Sequence, residues 1–359
     1  MSFSEFYERK FLVLLSALVT SRYNLTNMLI KDLGEFGTIE VINQLISSSR
    51  SKEMDSVQHL VIDSGDDSAG WSPHGTTELI TTDTVVEDIH FTSESISWHD
   101  LGWKVLASNI SDIASMGAYP SYAVVTLGLP PETEINDITE LYTGMLSIAN
   151  KYQVSIIGGD MVRSTQIFIS ITLTGTTSKE PLLRSTANSG DVIAVTGYLG
   201  GSAGGLRLIQ QSINVSQPSQ DYLLTAHRMP TPQVESGRVL VDCHIRTAMD
   251  ISDGLADDLS KLCLASEVSA TIYLNKIPTH SLVKSSFPET YIELALYGGE
   301  DYELLFTGNI TAVNEAIQLL PEGACIIGEI TDGTPGVISL VGEDGSERVA
   351  TRQGWDHFT

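Results

Sequence analysis

The sequence predicts an α/β (α+β) protein of two domains, and three observations carry that expectation. A chain of 359 residues is long enough to bury two hydrophobic cores. Apolar runs rich in β-branched residues alternate with stretches of helical periodicity. A polar stretch, Thr176-Thr177-Ser178-Lys179-Glu180-Pro181, separates the halves. The boundary therefore falls between residues 176 and 190, with domains over 28–180 and 181–359.

Taken in order, the first segment is Phe11–Val19, an apolar run after Arg9-Lys10. It resembles the apolar part of a secretory signal and is too short to cross a bilayer. It is read as a surface helix or as sequence ahead of a true start at Met28, which leaves 1–27 as an extension of unknown role. Strands are expected at Leu79–Thr82, Tyr122–Leu127, Ser155–Ile157 and Ile167–Leu173. Residues 100–116 read as a helix, because Trp103, Leu106, Ile110 and Ile113 recur at spacings of three and four and Gly117 supplies a stop. The second half opens on Arg184 and a Ser189-Gly190 turn, then the strand Val192–Val195. Gly197–Gly205 follows and fits neither a dinucleotide-binding glycine pattern nor a phosphate-binding P-loop. No protein-kinase catalytic loop is present either, so ATP, if used, is held by another architecture.

The formal charge of −25 argues against nucleic acid and against an anionic membrane as partner. A nucleotide would also be repelled unless cations carried the contact. Cys243, Cys263 and Cys325 are too few and too widely spaced for a zinc site or a disulfide framework; they read as structural and fit a reducing cytoplasm.

Aspartates recur where apolar runs end: Gly65-Asp66-Asp67, Thr81-Thr82-Asp83, Asn109-Ile110-Ser111-Asp112, Gly158-Gly159-Asp160 and Asp250-Ile251-Ser252-Asp253-Gly254. Each alone has an ordinary reading. Gly-Asp-Asp is a turn. Thr82-Asp83 ends a strand, where Thr81 or Thr82 could add oxygen ligands. Asp112 interrupts an otherwise apolar helix, and Asp is a poor helix former and rarely buried unpaired, so it marks either a site or a solvated face. Gly158-Gly159 lets the backbone approach a ligand at the end of the strand Ser155–Ile157 and presents Asp160. Ser252 or Asp253 can cap the helix that follows Gly254, which accounts for one or two acids there but less well for four. In Tyr297-Gly298-Gly299-Glu300-Asp301 the glycine pair is a turn, and Glu300 at its exit can contact a substrate. Together the carboxylates would repel unless cations held them, and hard oxygen donors suit Mg²⁺ or Ca²⁺. The chain reads as one that presents several Mg²⁺ ions to something highly anionic, such as a nucleoside triphosphate.

These segments, with Gly34-Glu35-Phe36, His90-Phe91, Lys104–Asp112, Met116-Gly117-Ala118 and Gly354-Trp355-Asp356-His357-Phe358, resemble the thiamine-monophosphate kinase family of the aminoimidazole-ribonucleotide synthetase-like superfamily. The likeness runs from about Gly34 to the end. It implies Mg²⁺-dependent phosphoryl transfer from ATP to thiamine monophosphate. It also implies a homodimer whose N-terminal domains pair sheets into a shared barrel, each joined to a C-terminal α+β domain. By matched position, Asp67, Thr81, Thr82, Asp83, Asp112, Asp160, Asp250 and Asp253 are implied metal ligands. Gly159, Asp160, Arg184, Ser252 and Tyr142 are implied nucleotide contacts, and His90, Glu300 and Trp355 implied contacts to thiamine monophosphate. Thr81 stands where Ser is common and Ser64 where an apolar residue is usual. Hydrogenase-maturation and selenophosphate-synthetase branches of the superfamily are the nearest alternatives, and a non-catalytic acidic cation buffer is one of another class.

Overall fold

A computed structural model describes residues 60–62, 66–72, 75–211 and 213–351. Trp355, residues 1–27, Gly34-Glu35-Phe36 and Gly65 lie outside these.

The first sheet has the order β1-β2-β3-β6-β4-β5, with β1 Leu60–Ile62, β2 Ala69–Trp71, β3 Thr77–Val86, β4 Tyr119–Leu129, β5 Ser155–Arg163 and β6 Phe168–Thr177. One face is apolar and the other is not. On β6, Ile169, Ile171 and Leu173 are buried while Ser170, Thr172 and Thr174 alternate with them on the outer face. Helices α1 (Trp98–Ser115) and α2 (Ile135–Tyr152) cover the apolar face, and their buried side chains join those of β3, β4 and β6 in one core. Strand β4, helix α2 and strand β5 form a parallel crossover unit.

Two strands run further than the sequence suggests, and the difference places two aspartates. β3 continues to Val86, so Asp83 lies inside it rather than at its end. β5 continues through Gly158-Gly159-Asp160 to Arg163. The glycines do admit a close backbone, but it is that of β4: a Cβ on Gly159 would lie 1.9 Å from the Val125 carbonyl oxygen. A register shift opposite Ala123 and Val124 accommodates the extra residue.

The second sheet has the order β13-β12-β9-β11-β7-β10-β8, from β7 (Val192–Val195), β8 (Thr247–Asp250), β9 (Ser269–Tyr273), β10 (Leu304–Gly308), β11 (Cys325–Thr331), β12 (Ile338–Val341) and β13 (Glu347–Val349). Helices α3 (Gly201–Gln211), α4 (Gln217–Arg228), α5 (Val234–Asp242), α6 (Leu255–Ala265), α7 (Ser281–Ser286), α8 (Tyr291–Tyr297) and α9 (Ile310–Leu319) surround it. Its centre is covered on both faces. In β7, Ile193 and Val195 enter the core shared with α6 and α8, whereas Ala194 enters the core beneath α5 and α9. That explains an apolar run with no alternation.

Helix α1 is the joint between the domains. Ser97 caps its start by accepting the Asp100 N–H at 3.1 Å, and Gly117, at φ 66°, takes the left-handed conformation past its end. It crosses α5 so closely that a Cβ on Gly237 would lie 2.1 Å from the Ala114 carbonyl oxygen. It crosses α2 at a reciprocal glycine contact: a Cβ on Gly102 would lie 1.9 Å from Leu141 O, and one on Gly144 1.8 Å from His99 O. Backbone cannot yield as a flexible side chain can, so Gly144→Ala is expected to lower stability by about 1–3 kcal/mol. Urea unfolding of the variant beside the parent checks this, and an unchanged midpoint would contradict the contact.

Candidate functional site

The cleft between the domains is built on one stripe of α1. Lys104, Ser108, Ser111, Asp112 and Ser115 fall within an arc of about 100° at 3.6 residues per turn, while the other faces carry Val105, Leu106, Ile110 and Ile113 into the core. The polar members of the stripe face groups from elsewhere in the chain. The Ser115 hydroxyl donates to Asp67 at 3.1 Å, and the Ser111 hydroxyl donates to Asp250 at 2.7 Å. The Ser108 hydroxyl donates to Val105 O at 3.1 Å and favours the charged form of Asp83. Asp112 accepts the Thr81 hydroxyl at 2.5 Å, and the Lys104 ammonium donates to Glu300 at 2.8 Å.

Asp67, Asp112 and Asp250 thereby converge from the segment after β1, from α1 and from the end of β8. One oxygen from each lies within 4.8 Å of the others. Burial is the chief cause that pushes the Asp112 and Asp250 carboxyls well above the ordinary range. Neighbouring carboxylates add to it: Asp83, Asp250 and Asp67 around Asp112, and Asp67, Asp258 and Asp83 around Asp250. Asp83 is raised by burial and by the charge of Asp253, with Ser108 opposing. Burial and the charge of Asp67 push Asp66 up to about 6. Arg184 closes this side. Its guanidinium pairs with Asp67, its backbone N–H donates to Asp66 at 3.3 Å, and its Nε, 3.4 Å from Asp66, makes no hydrogen bond among the described residues.

The loop Asp250–Gly254 is held by backbone rather than by its own side chains. Ile251 N donates to Glu303 O (2.8 Å), Tyr302 N to Ile251 O (3.0 Å) and Glu300 N to Ser252 O (2.8 Å). Neither Ser252 nor Asp253 caps α6. Asp258, in the first turn, reaches back and accepts the N–H groups of Ser252, Asp253 and Gly254 at 2.9–3.1 Å. The sequence does not separate these alternatives, because four acids lie within capping reach. Asp253 instead pairs with Lys261.

Of the remaining residues singled out in the sequence, His90 sits in the turn after β3, where Nδ1 accepts the Val86 N–H at 3.0 Å. Its charge is felt at Glu300. Tyr142 packs on α2 against the first core. Thr82 and Asp160 are not brought to the three-carboxylate cluster. Directly paired residues share a sheet face, and Asp160 pairs with Thr126, which pairs with Ser170 and so with Thr84, on the outer face. Thr82 also points outward, its hydroxyl donating to Ile171 O at 2.9 Å. The residues that the motifs did not reveal are the holders: Ser115, Asp258, Lys261 and His227. For Ser108, Ser111 and Ser115 the available signal is their spacing of three and four inside an apolar helix.

This arrangement of two α/β domains around an acidic cleft defines a class. The model of the AIR synthase related protein N-terminal domain matches residues 65–177, and that of the C-terminal domain matches 188–340. The chain is 36% identical to the thiamine-monophosphate kinase of Bacillus subtilis over 82% of its length and 92% of that protein's. It is 35% identical to that of Escherichia coli K12 over 90% and 98%. A solved structure, AaThiL complexed with AMPPCP and TMP, superposes with a TM-score of 0.80 at 31% identity, covering 92% of this chain and 99% of that one. Hydrogenase maturation protein HypE in complex with ATP, at 19% identity and a TM-score of 0.64, shares the fold alone. The chain belongs to the thiamine-monophosphate kinase family.

A carboxyl whose pKa is raised on folding binds its proton more tightly in the native state, so stability falls as pH rises from the ordinary carboxylate range through the folded value. Asp112→Asn removes one such group and keeps an acceptor for Thr81. In chelator, the variant is expected to melt above the parent near pH 8, with the gap closing near pH 5. Equal melting temperatures at both pH values would show that the cluster carries no such repulsion.

Proposed function

We propose that the protein transfers the γ-phosphoryl group of ATP to thiamine monophosphate in the interdomain cleft, giving thiamine diphosphate and ADP. The observation that carries this reading is the convergence of Asp67, Asp112 and Asp250 from two domains. Three hard oxygen donors gathered this closely suit a divalent cation such as Mg²⁺. Asp67, Asp112 and Asp250 would hold Mg²⁺ there, with Thr81 and Asp83 beside them; Asp253, Thr82 and Asp160 are proposed ligands on the resemblance alone. When bound, Mg²⁺ supplies charge that offsets the repulsion between two phosphorylated substrates, about 4 kcal/mol per pair of unit charges 4 Å apart at an effective dielectric near 20.

One oxygen of the acceptor phosphate attacks the γ-phosphorus. The new P–O bond forms as the bond to the β,γ-bridging oxygen breaks, and ADP leaves with the electron pair. The acceptor is already an anion, so no general base is needed. Arg184, Ser252, Gly159, Asp160 and Tyr142 are the proposed nucleotide contacts, with Arg184 the cation among them. His90, Glu300 and Trp355 are proposed to hold the acceptor.

The domain over 28–180 would bind metal and nucleotide and form the homodimer, beside the domain over 181–359. Among the described residues strand β5 is the edge of its sheet, and Tyr122, Val124, Ile157 and Val162 are exposed on β4 and β5, a surface suited to pairing into a barrel with a second copy. No helix among the described residues is long and apolar enough to cross a membrane. The substrates and the free thiols of Cys243, Cys263 and Cys325 suit the cytoplasm.

Incubation with ATP, Mg²⁺ and thiamine monophosphate, followed by chromatography, is expected to yield thiamine diphosphate and ADP. Asp112→Ala should reduce turnover by about a hundredfold or more while the circular dichroism stays that of the parent; near-normal turnover would refute its role. In sedimentation, the 38.9 kDa chain should run as a dimer and Val124→Glu as a monomer. A parent that sediments as a monomer would remove the barrel.

A further inference from the structure

Glu300 is held in an unusual way. It sits at φ 65° and Tyr302 at φ 52°, both in the left-handed region that non-glycine residues rarely occupy. The hydrogen bonds from Glu300 N to Ser252 O and from Tyr302 N to Ile251 O hold that backbone. The result is a carboxylate with two unlike oxygens. Oε2 receives the Lys104 ammonium at 2.8 Å and lies 3.5 Å from His227 Nδ1. Oε1 accepts no hydrogen bond among the described residues, and the side chain is one-third exposed. Lys104 is buried and comes from the other domain. His227 is itself placed by the Ser202 hydroxyl, 3.1 Å from Nδ1.

We propose that Lys104 is a positioning residue for the acceptor: it holds one oxygen of Glu300, so that the other is presented to a cationic, N–H-bearing heteroaromatic phosphate ester. The inference rests on the reading of the cleft as the site of thiamine monophosphate. A carboxylate fixed by one edge meets its ligand without losing side-chain freedom on binding, and a ligand donor at Oε1 completes a group that is otherwise half satisfied. Lys104 also keeps the carboxylate charged. Burial pushes Glu300 up, but Lys104, then His227 and His90, outweigh it and hold the acid below its ordinary range. The other titratable groups around it are Asp301 and Tyr302 of its own loop. His227, lowered to about 4 by burial and by Lys104, is neutral near pH 7, which leaves Lys104 as the main counter-charge.

Steady-state kinetics of Lys104→Met, Lys104→Arg and Glu300→Gln test this. Lys104→Met is expected to raise KM for thiamine monophosphate by about tenfold or more, with KM for ATP within about twofold of the parent. Without the ammonium, burial raises the Glu300 carboxyl, so kcat/KM for thiamine monophosphate should gain an acidic limb, falling as the pH is lowered. The parent should lack that limb, and Lys104→Arg should restore the parent profile. In the Glu300→Gln background, Lys104→Met should change KM by less than about twofold, since Lys104 acts through the carboxylate. Equal losses for both substrates with no acidic limb, additive effects in the double variant, or an unchanged KM would each overturn the proposal. A parent that does not phosphorylate thiamine monophosphate would instead overturn the reading of the cleft, and this inference with it.

Discussion

Carboxylates buried side by side repel one another, and the interdomain cleft gathers Asp67, Asp83, Asp112 and Asp250 all the same. The rest of the structure is arranged around that cost. Three carboxylates of the group are met by a hydroxyl or a cation: Ser115 and Arg184 at Asp67, Thr81 at Asp112 and Ser111 at Asp250. Neutral donors relieve only part of the repulsion, because a hydroxyl brings no net charge. Burial and the neighbouring charges still keep Asp112 and Asp250 raised. A site in that condition has a standing free-energy gain for any small divalent cation it can admit.

Helix α1 makes the arrangement possible because it is core on most of its circumference and site on one stripe. Its apolar faces bury Leu106, Ile110 and Ile113 completely, and its glycine contact with α2 and its close approach to Gly237 of α5 fix it to both domains. A helix locked in this way cannot rotate to relieve its own polar groups. Asp112 therefore stays in the cleft although ionisation there is unfavourable, and the rigid helix supplies the position that a loop could not keep. The second domain repeats the principle with backbone: Glu303, Ile251, Tyr302, Ser252 and Glu300 are laced together, so the acceptor's proposed carboxylate and the loop of Asp250 move as one body.

Much of this was legible in the sequence where a signal was local. The helix over 100–116 was visible in its periodicity and in Gly117, and Asp112 stood out as an acid in an apolar helix. The strand Val192–Val195 was visible as an unbroken β-branched run, and both its faces are buried. What the sequence hides depends on partners distant in the chain. Lys104 looks like an ordinary helical lysine until Glu300, 196 residues away, is folded against it. Ser111 looks like a poor helix former until Asp250 arrives. Asp258 and Asp253 are indistinguishable as caps from their types, and only in the fold does Asp258 take the N–H groups of Ser252, Asp253 and Gly254.

The pair Asp83 and Asp160 shows how far a local motif can be trusted. Both were read as aspartates at strand ends, and both lie inside strands, where the side-chain period of two decides which way each points. Asp83 pairs with Ile171, and that row continues through Val125 to Gly159, all toward the helices; the next row, Thr84, Ser170, Thr126 and Asp160, faces away. One residue of register thus separates a carboxylate that joins the cluster from one that lies on the outer face of β5, the edge strand among the described residues.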